Sequence, residues 1–346
     1  MVARQSSTQM TGRPRAAVVV NEMKVDLDAL RRLVAAEETR GGWGETLWFP
    51  TSAADPGQLA ARRARAAGAA LVVIVGGDGT VRAVVEELAD SGLPLGLVPA
   101  GTGNLLARAL GLPLNDLPGS IETAFDGGTR TIDVAQIELR REDDTVDRHS
   151  YLVMAGIGLD AQMAAHTNAA VKKRVGWLAY VHPIAASVLG AKQLYLHYRL
   201  DGSRVRSVRA HTVIVGNSGT LPGNLLLLPD AAVDDGLLDV VVLRPNGFGG
   251  WVQIASRLSL TGPIRRIRGG RTVLGWVPAS PSLQYARAKE FVVRFNLPQE
   301  IQLDGDPFGS VIGVRIRVQH HALTIGVPTS RPVGDVSAIG SDGVDE

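Results

Sequence analysis

The apolar run Leu71–Val75 opens directly into Gly76-Gly77-Asp78-Gly79-Thr80, and the helix-patterned segment Val81–Leu88 follows at once. Three glycines around one acid let the backbone fold tightly enough to aim several N–H groups at an anion. The helix N-terminus behind them adds its dipole, so the turn suits a phosphate. A second apolar strand, Leu95–Val98, feeds Pro99-Ala100-Gly101-Thr102-Gly103-Asn104 one β-α unit later. Two neighbouring strand ends therefore present glycine loops. Far along the chain come Asp234-Asp235-Gly236-Leu237-Leu238-Asp239 and Leu303-Asp304-Gly305-Asp306, acidic turns of the kind that hold a hard cation or accept a proton. Glycine loops together with carboxylates suit phosphoryl transfer, where catalysis is mostly positioning, a metal ion and one base.

Two rival readings of the first loop fail on its residues. A Rossmann dinucleotide turn needs a third glycine and an acid about twenty residues on to hold a ribose, and neither is present. A Walker A loop needs Gly-Lys-Ser/Thr, which occurs nowhere in the chain. The blander reading is a tight strand-to-helix turn with no ligand.

The elements that position these loops alternate up to about residue 135. Strand Ala16–Val20, helix Leu27–Glu38 behind Asp26, strand Thr46–Phe49, a helix from Pro56 with Asp55 as its cap and Gly68 past its end, strand Leu71–Val75, helix Val81–Ala89 and strand Leu95–Val98 follow in series. That order is the sequence form of a parallel α/β sheet with ligand loops at the carboxyl ends of its strands. After Asp133 strand-length runs dominate: Tyr151–Ala155, Gln193–Leu200, Thr212–Val215, Leu238–Leu243, Phe291–Phe295 and Val311–Val318. Helix-like Val171–Leu189 and Gly250–Leu260 interrupt them. The expectation is α/β plus β: an N-terminal parallel α/β nucleotide-binding domain and a C-terminal, mostly antiparallel β domain.

Composition bounds the rest. At 346 residues the chain can bury two cores. Zero cysteines exclude disulfides and thiolate metal sites and fit a reducing interior. A net charge of +2 argues against a dedicated nucleic-acid binder. Met1–Arg15 is polar and lacks the apolar centre of a secretory signal, and no stretch reaches eighteen uninterrupted apolar residues. Residues 1–13 and 331–346 read as disordered. Lys172-Lys173-Arg174 beside Trp177 and Tyr180, and Arg265–Arg268, are basic clusters able to dock on anionic lipid. The seven histidines show no metal-ligand spacing and read as structural.

Taken in order, Val18-Val19-Val20-Asn21, Gly76–Thr80, Pro99–Asn104, Met154–Asp160, Val215-Gly216-Asn217, Pro229-Asp230-Ala231, Asp234–Asp239 and Asp304-Gly305-Asp306 resemble the bacterial diacylglycerol kinase catalytic-domain family of lipid kinases. These are relatives of sphingosine kinases and, more distantly, of NAD kinases. The resemblance covers roughly Ala16 to Gly326 and implies a C-terminal β-sandwich over 136–314. It also implies that the chain's end (315–330) returns to complete a first domain over 14–135. It further implies ATP on Gly76, Gly77, Asp78, Gly79 and Thr80, with Asp78 acting through a metal, and on Gly101, Thr102 and Asn104, the last also capping the next helix. Asn21, Lys24 and Thr51 (or Ser52) would reach the nucleotide from the first two strands. A Mg²⁺ would lie on the Asp235 carboxylate with the carbonyls of Ala232 and Leu237.

The chain departs from the family at four places. Glu22 replaces a proline; Arg82 and Ala83 stand for Asn and Glu; Asp306 stands for the glutamate taken as the base that deprotonates the lipid hydroxyl. Arg82 either contacts phosphate or is a solvated helix charge, and either Asp306 or Asp304 is the base. The expected partners are ATP and a lipid acceptor, first diacylglycerol, at the inner face of a membrane from the cytoplasmic side. Homodimerisation is open, and the alternatives are a kinase for a sphingoid-like lipid or NAD, or an inactive nucleotide- or lipid-binding regulator.

Overall fold

In the computed structural model the described residues are 12–158, 193–218, 220–221, 225–226, 228, 231–245 and 282–329. The expected helices at 171–189 and 250–260 and both basic clusters lie outside them.

Among the described residues the N-terminal half alternates as expected: β1 (Arg15–Val20), α1 (Leu27–Gly41), β2 (Gly44–Pro50), α2 (Gln58–Ala66), β3 (Leu71–Gly76), α3 (Asp78–Leu88), β4 (Pro94–Pro99), α4 (Leu105–Ala109) and α5 (Leu117–Asp126). The caps explain the limits of α1. Asp26 accepts the Ala29 N–H at 3.0 Å, and Gly42 closes the helix at φ 67°, a left-handed value that glycine adopts without strain. Asp55 serves α2 from three residues upstream, its carboxylate accepting from Leu59 and Ala60. The helix α3 begins earlier than its apolar pattern suggests. Gly77 is extended (φ −96°) and stands as N-cap, so Asp78, Gly79 and Thr80 form the first helical turn rather than a loop.

The strands β2, β1, β3 and β4 are parallel neighbours. Alternate side chains of β1 and β3 fill two layers. Val19, Val72 and Ile74 pack under α2, α3 and α4 on one face, and Val18, Val73 and Val75 pack with Leu30, Val34 and Ile121 on the other.

The second half is antiparallel: β5 (Gly128–Arg140), β6 (Val146–Tyr151), β7 (Met154–Ile157), β8 (Leu194–Leu200), β9 (Arg206–Ala210), β10 (Thr212–Gly216), the short pair β11 (Thr220–Leu221) and β12 (Leu225–Leu226), β13 (Leu238–Leu243), β14 (Leu283–Ala288), β15 (Glu290–Leu303) and β16 (Asp306–Val327). Its core joins Tyr151, Leu196, Phe291, Val293, Leu303 and Ile316. One expected strand, Tyr151–Ala155, is two. The N–H groups of Leu152, Val153 and Met154 leave the ladder to meet the Asp304 carboxylate. The returning strand β16 pairs with β15 and β5 and then runs parallel to β4 at Thr324 and Ile325, so one sheet of 14 strands passes through both halves.

Candidate active site

The two glycine loops meet edge to edge. The Ala100 N–H donates to the Gly76 carbonyl at 2.9 Å. A Cβ on Gly101 would lie 2.6 Å from the Gly77 Cα, closer than any side chain tolerates, so position 101 must be glycine for the loops to touch, and a Cβ on Gly77 would crowd the Gly101 Cα at 3.2 Å. The Lys24 ammonium stands 3.2 Å from where a Gly77 Cβ would be. A bare double loop, the N-terminus of α3 and one cation converge there, a cradle that fits a polyphosphate.

Asp78 ties the two loops together. Its Oδ1 accepts the Leu105 N–H at 2.6 Å, so it supplies the cap of α4. Asn104 was expected to provide that cap; instead it sits at φ 47° and closes its own turn, accepting from the Gly101 N–H and donating to the Gly101 carbonyl. The Asp78 carboxyl is pushed up from the ordinary carboxylate range by burial, against the pull of the Leu105 and Asn104 N–H groups and with help from the nearby Asp306 charge. A carboxylate whose charge is disfavoured in this way gains from an incoming cation.

The other expected nucleotide contacts fall into two groups. Thr51 ends β2 beside the end of β1, its N–H on the Val20 carbonyl, and Thr102 is exposed at the tip of the second loop. Asn21 and Thr80 are turned to structural work. The Asn21 side chain accepts from Met23 N–H, and the Thr80 side chain packs against Gly76, where a Cβ would meet it at 2.7 Å. Thr80 as a whole is only 6% exposed.

The acidic turn Asp304-Gly305 is a two-residue hairpin between β15 and β16, with φ of 50° and 91°. That turn sends its two acids in opposite directions. Asp304 points inward and is 5% exposed. Its Oδ2 accepts from Leu152 N–H and its Oδ1 from Val153 and Met154 N–H, at 2.8 to 3.0 Å. Burial raises its carboxyl to about 6, against the opposing pull of those three N–H groups and of Arg82. Such a group is buried away from an acceptor hydroxyl and committed to three backbone N–H groups, so Asp304 is a strut and its candidacy as base is corrected.

Asp306 points outward and lands on the glycine loop. Its Oδ2 lies 3.2 Å from the position of a Gly79 Cβ. Arg82 holds it there, with Nη2 on Asp306 Oδ2 at 2.9 Å, Nη1 donating to the Leu303 carbonyl at 3.0 Å, and the guanidinium 4.7 Å from the Phe308 ring centre. Arg82 is therefore neither a solvated helix charge nor a free phosphate ligand; its side chain is 12% exposed and bridges the helix α3 to the hairpin. Phe308 is a participant that local sequence did not single out, and Gly103 of the second loop leaves room, by its missing Cβ, for Asp78 Oδ2.

At the expected Mg²⁺ site on Ala232, Asp235 and Leu237, the Asp235 carboxylate pairs with Arg287 and accepts the Leu237 N–H. A Mg²⁺ held there would share that carboxylate with Arg287.

The chain matches two family models in sequence: the diacylglycerol kinase catalytic domain over residues 16–137 and the YegS C-terminal NAD kinase beta sandwich-like domain over residues 153–327. The chain belongs to this lipid kinase family. A diacylglycerol kinase of Mycobacterium tuberculosis is 32% identical over 52% of this chain, and the match spans 57% of that protein. A diacylglycerol kinase of Bacillus subtilis is 26% identical over 80% of this chain and 84% of its own length. A crystal structure of a Bacillus anthracis diacylglycerol kinase superposes with a TM-score of 0.61 at 19% identity, covering 92% of this chain and 98% of that one, and shows the same two-part fold. Among the described residues no helix is long and apolar enough to cross a membrane.

Proposed function

We propose that the protein transfers the γ-phosphoryl group of ATP to a lipid hydroxyl, with diacylglycerol as the leading acceptor. One observation carries the reading. The Asp306 carboxylate, from a hairpin more than two hundred residues downstream, is delivered against the backbone of Gly79 inside the phosphate cradle. A half-exposed acid there can take the proton of an acceptor hydroxyl as the phosphate is transferred, while the loops orient the chain of phosphates. Arg82 fixes the direction of that acid and places a cation beside the reacting phosphate. Mg²⁺ bound with ATP would supply charge neutralisation, and Asp78, with Lys24 across the loop, is the residue suited to face it. On this reading residues 14–135 with 315–330 bind the nucleotide and 136–314 present the acceptor. Meeting a bilayer-resident acceptor requires peripheral contact with the anionic cytoplasmic face of the membrane, and Lys172–Arg174 and Arg265–Arg268 are the cations that meet it on this reading. The relatives named diacylglycerol kinase support the choice of acceptor.

The test is incubation with labelled ATP, Mg²⁺ and either diacylglycerol micelles, a sphingoid base or NAD. Label is expected in phosphatidic acid. Asp306→Asn should lower that rate about 100-fold or more, the scale of a lost general base, while Asp306→Glu, which keeps a carboxylate, stays active. Wild-type transfer by the asparagine variant would remove Asp306 from the chemistry, and label in NAD alone would move the reading to a soluble acceptor.

A further inference from the structure

The long strands β5 and β16 lose register at one shared point. They pair from Gly313↔Arg140 to Gln319↔Val134 and resume at Leu323↔Ile132. The break leaves Asp133 on one strand facing His320 and His321 on the other. Asp133 is fully buried; its Oδ1 is hydrogen-bonded to His320 Nδ1 and accepts the His321 N–H, both at 2.8 Å, and its Oδ2 accepts the Gly236 N–H at 2.7 Å. The His320 ring is half exposed, and the His321 ring stacks on it with centres 3.6 Å apart. One ligand atom from each of the three lies within 4.8 Å of the others. The surroundings are shaped to this cluster. Gly236 passes under it at φ 71°, where a Cβ would stand 3.0 Å from His320 Nδ1, and His321 itself takes a left-handed φ of 54°.

We propose that Asp133, His320 and His321 form a binding site for a borderline divalent cation of the zinc type, which staples the two strands where they cross from one half of the molecule to the other. One carboxylate and two imidazoles are a donor set that zinc, cobalt and nickel accept and that magnesium, a hard ion preferring oxygen, does not. The His321 ligand atom, within 4.8 Å of the other two, must close on them to about 3.3 Å, and its ring must turn out of its stack on His320. The 2.8 Å between Asp133 Oδ1 and His320 Nδ1 would open to about 3.3 Å, the edge of a tetrahedron with bonds near 2.0–2.1 Å, and the exposed ring is the part that moves. The ion replaces the proton shared by Asp133 and His320, which leaves to solvent, and water completes the fourth position. The site is separate from the phosphate cradle, and no step of the kinase reading uses these three residues.

The experiment uses the full chain stripped of metal by chelation. Equilibrium dialysis against Zn²⁺ should give one ion per chain with a rise in Tm, and Co²⁺ should give the strong visible absorption of tetrahedral N/O ligation. The cobalt spectrum is read on the wild type, so it stands even if a variant folds poorly. His320→Ala and His321→Ala should each weaken Zn²⁺ binding by at least about tenfold. His197→Ala, remote on β8, should bind as the wild type does. No Zn²⁺ uptake at about a hundredfold molar excess, a weak octahedral cobalt spectrum, equal competition by Mg²⁺, or wild-type binding in either of the two site variants overturns the proposal.

Discussion

Asp304 sets a pH dependence of stability that separates a strut from a catalytic base. Its carboxyl is raised from 3.8 to about 6 in the folded protein, with burial the chief cause. The folded state therefore holds a proton that the unfolded chain has released between these values. Stability is then greatest below pH 4 on this group's account and falls as pH rises to about 6. About two pK units at 1.36 kcal/mol each make the loss about 3 kcal/mol, complete by roughly pH 7. Asp304→Asn removes the slope, because an amide does not titrate in this range. It also sets an NH₂ against either the Leu152 N–H or the paired Val153 and Met154 N–H groups, and leaving such a donor unmet costs about 1–3 kcal/mol. Urea unfolding at intervals from pH 4 to pH 8 measures both effects. The variant's curve should be flatter than the wild type's, so the difference between the two changes by about 3 kcal/mol across the range. A variant that keeps the full wild-type slope would place the titration elsewhere and refute the assignment.

Gly101→Ala should lower both stability and turnover, since the new methyl meets the Gly77 Cα at 2.6 Å and overpacking of this kind costs about 1–3 kcal/mol; thermal melts and the kinase assay check it. Arg82→Ala should reduce kcat about 10- to 100-fold by freeing Asp306, and Arg82→Lys should not restore it, because one ammonium cannot meet both the Leu303 carbonyl and Asp306 in a fixed fork. Tyr151→Phe should leave stability unchanged or raise it by up to about 1 kcal/mol in denaturant melts, because the Tyr151 hydroxyl is fully buried without a hydrogen-bond partner among the described residues.

Much of the fold is readable from periodicity. The apolar runs at Leu71–Val75 and Leu95–Val98 and the cap Asp26 mark their elements, because those signals are local, whereas Asp55 lies two residues before Gly57, the N-cap of a helix that starts at Gln58 rather than Pro56. The lengths of β15 and β16 are not readable. Polar residues such as Gln299 and Gln319 interrupt their pattern, yet tertiary pairing carries both strands through. The glycine cradle is visible because glycine is the residue that lets two backbones meet. Arg82 and Asp304 are misread for a common reason: what each side chain does depends on a partner over 150 residues away, and no window of sequence contains both. The same holds for Asp133 with His320, which lie 187 positions apart and carry no local spacing at all.

The sheet that runs unbroken through both halves has a consequence for synthesis. Among the described residues, strand β4 is an edge until β16 arrives beside it, and β16 is the last strand made. As the chain emerges from the ribosome, its first 137 residues can assemble helices and four parallel strands but must hold an open edge throughout the synthesis of the remainder. Unpaired edges of this kind invite intermolecular pairing, and contacts so distant along the chain form slowly. The α/β half expressed alone would keep that edge permanently, so its solubility would rest on a strand supplied from far downstream.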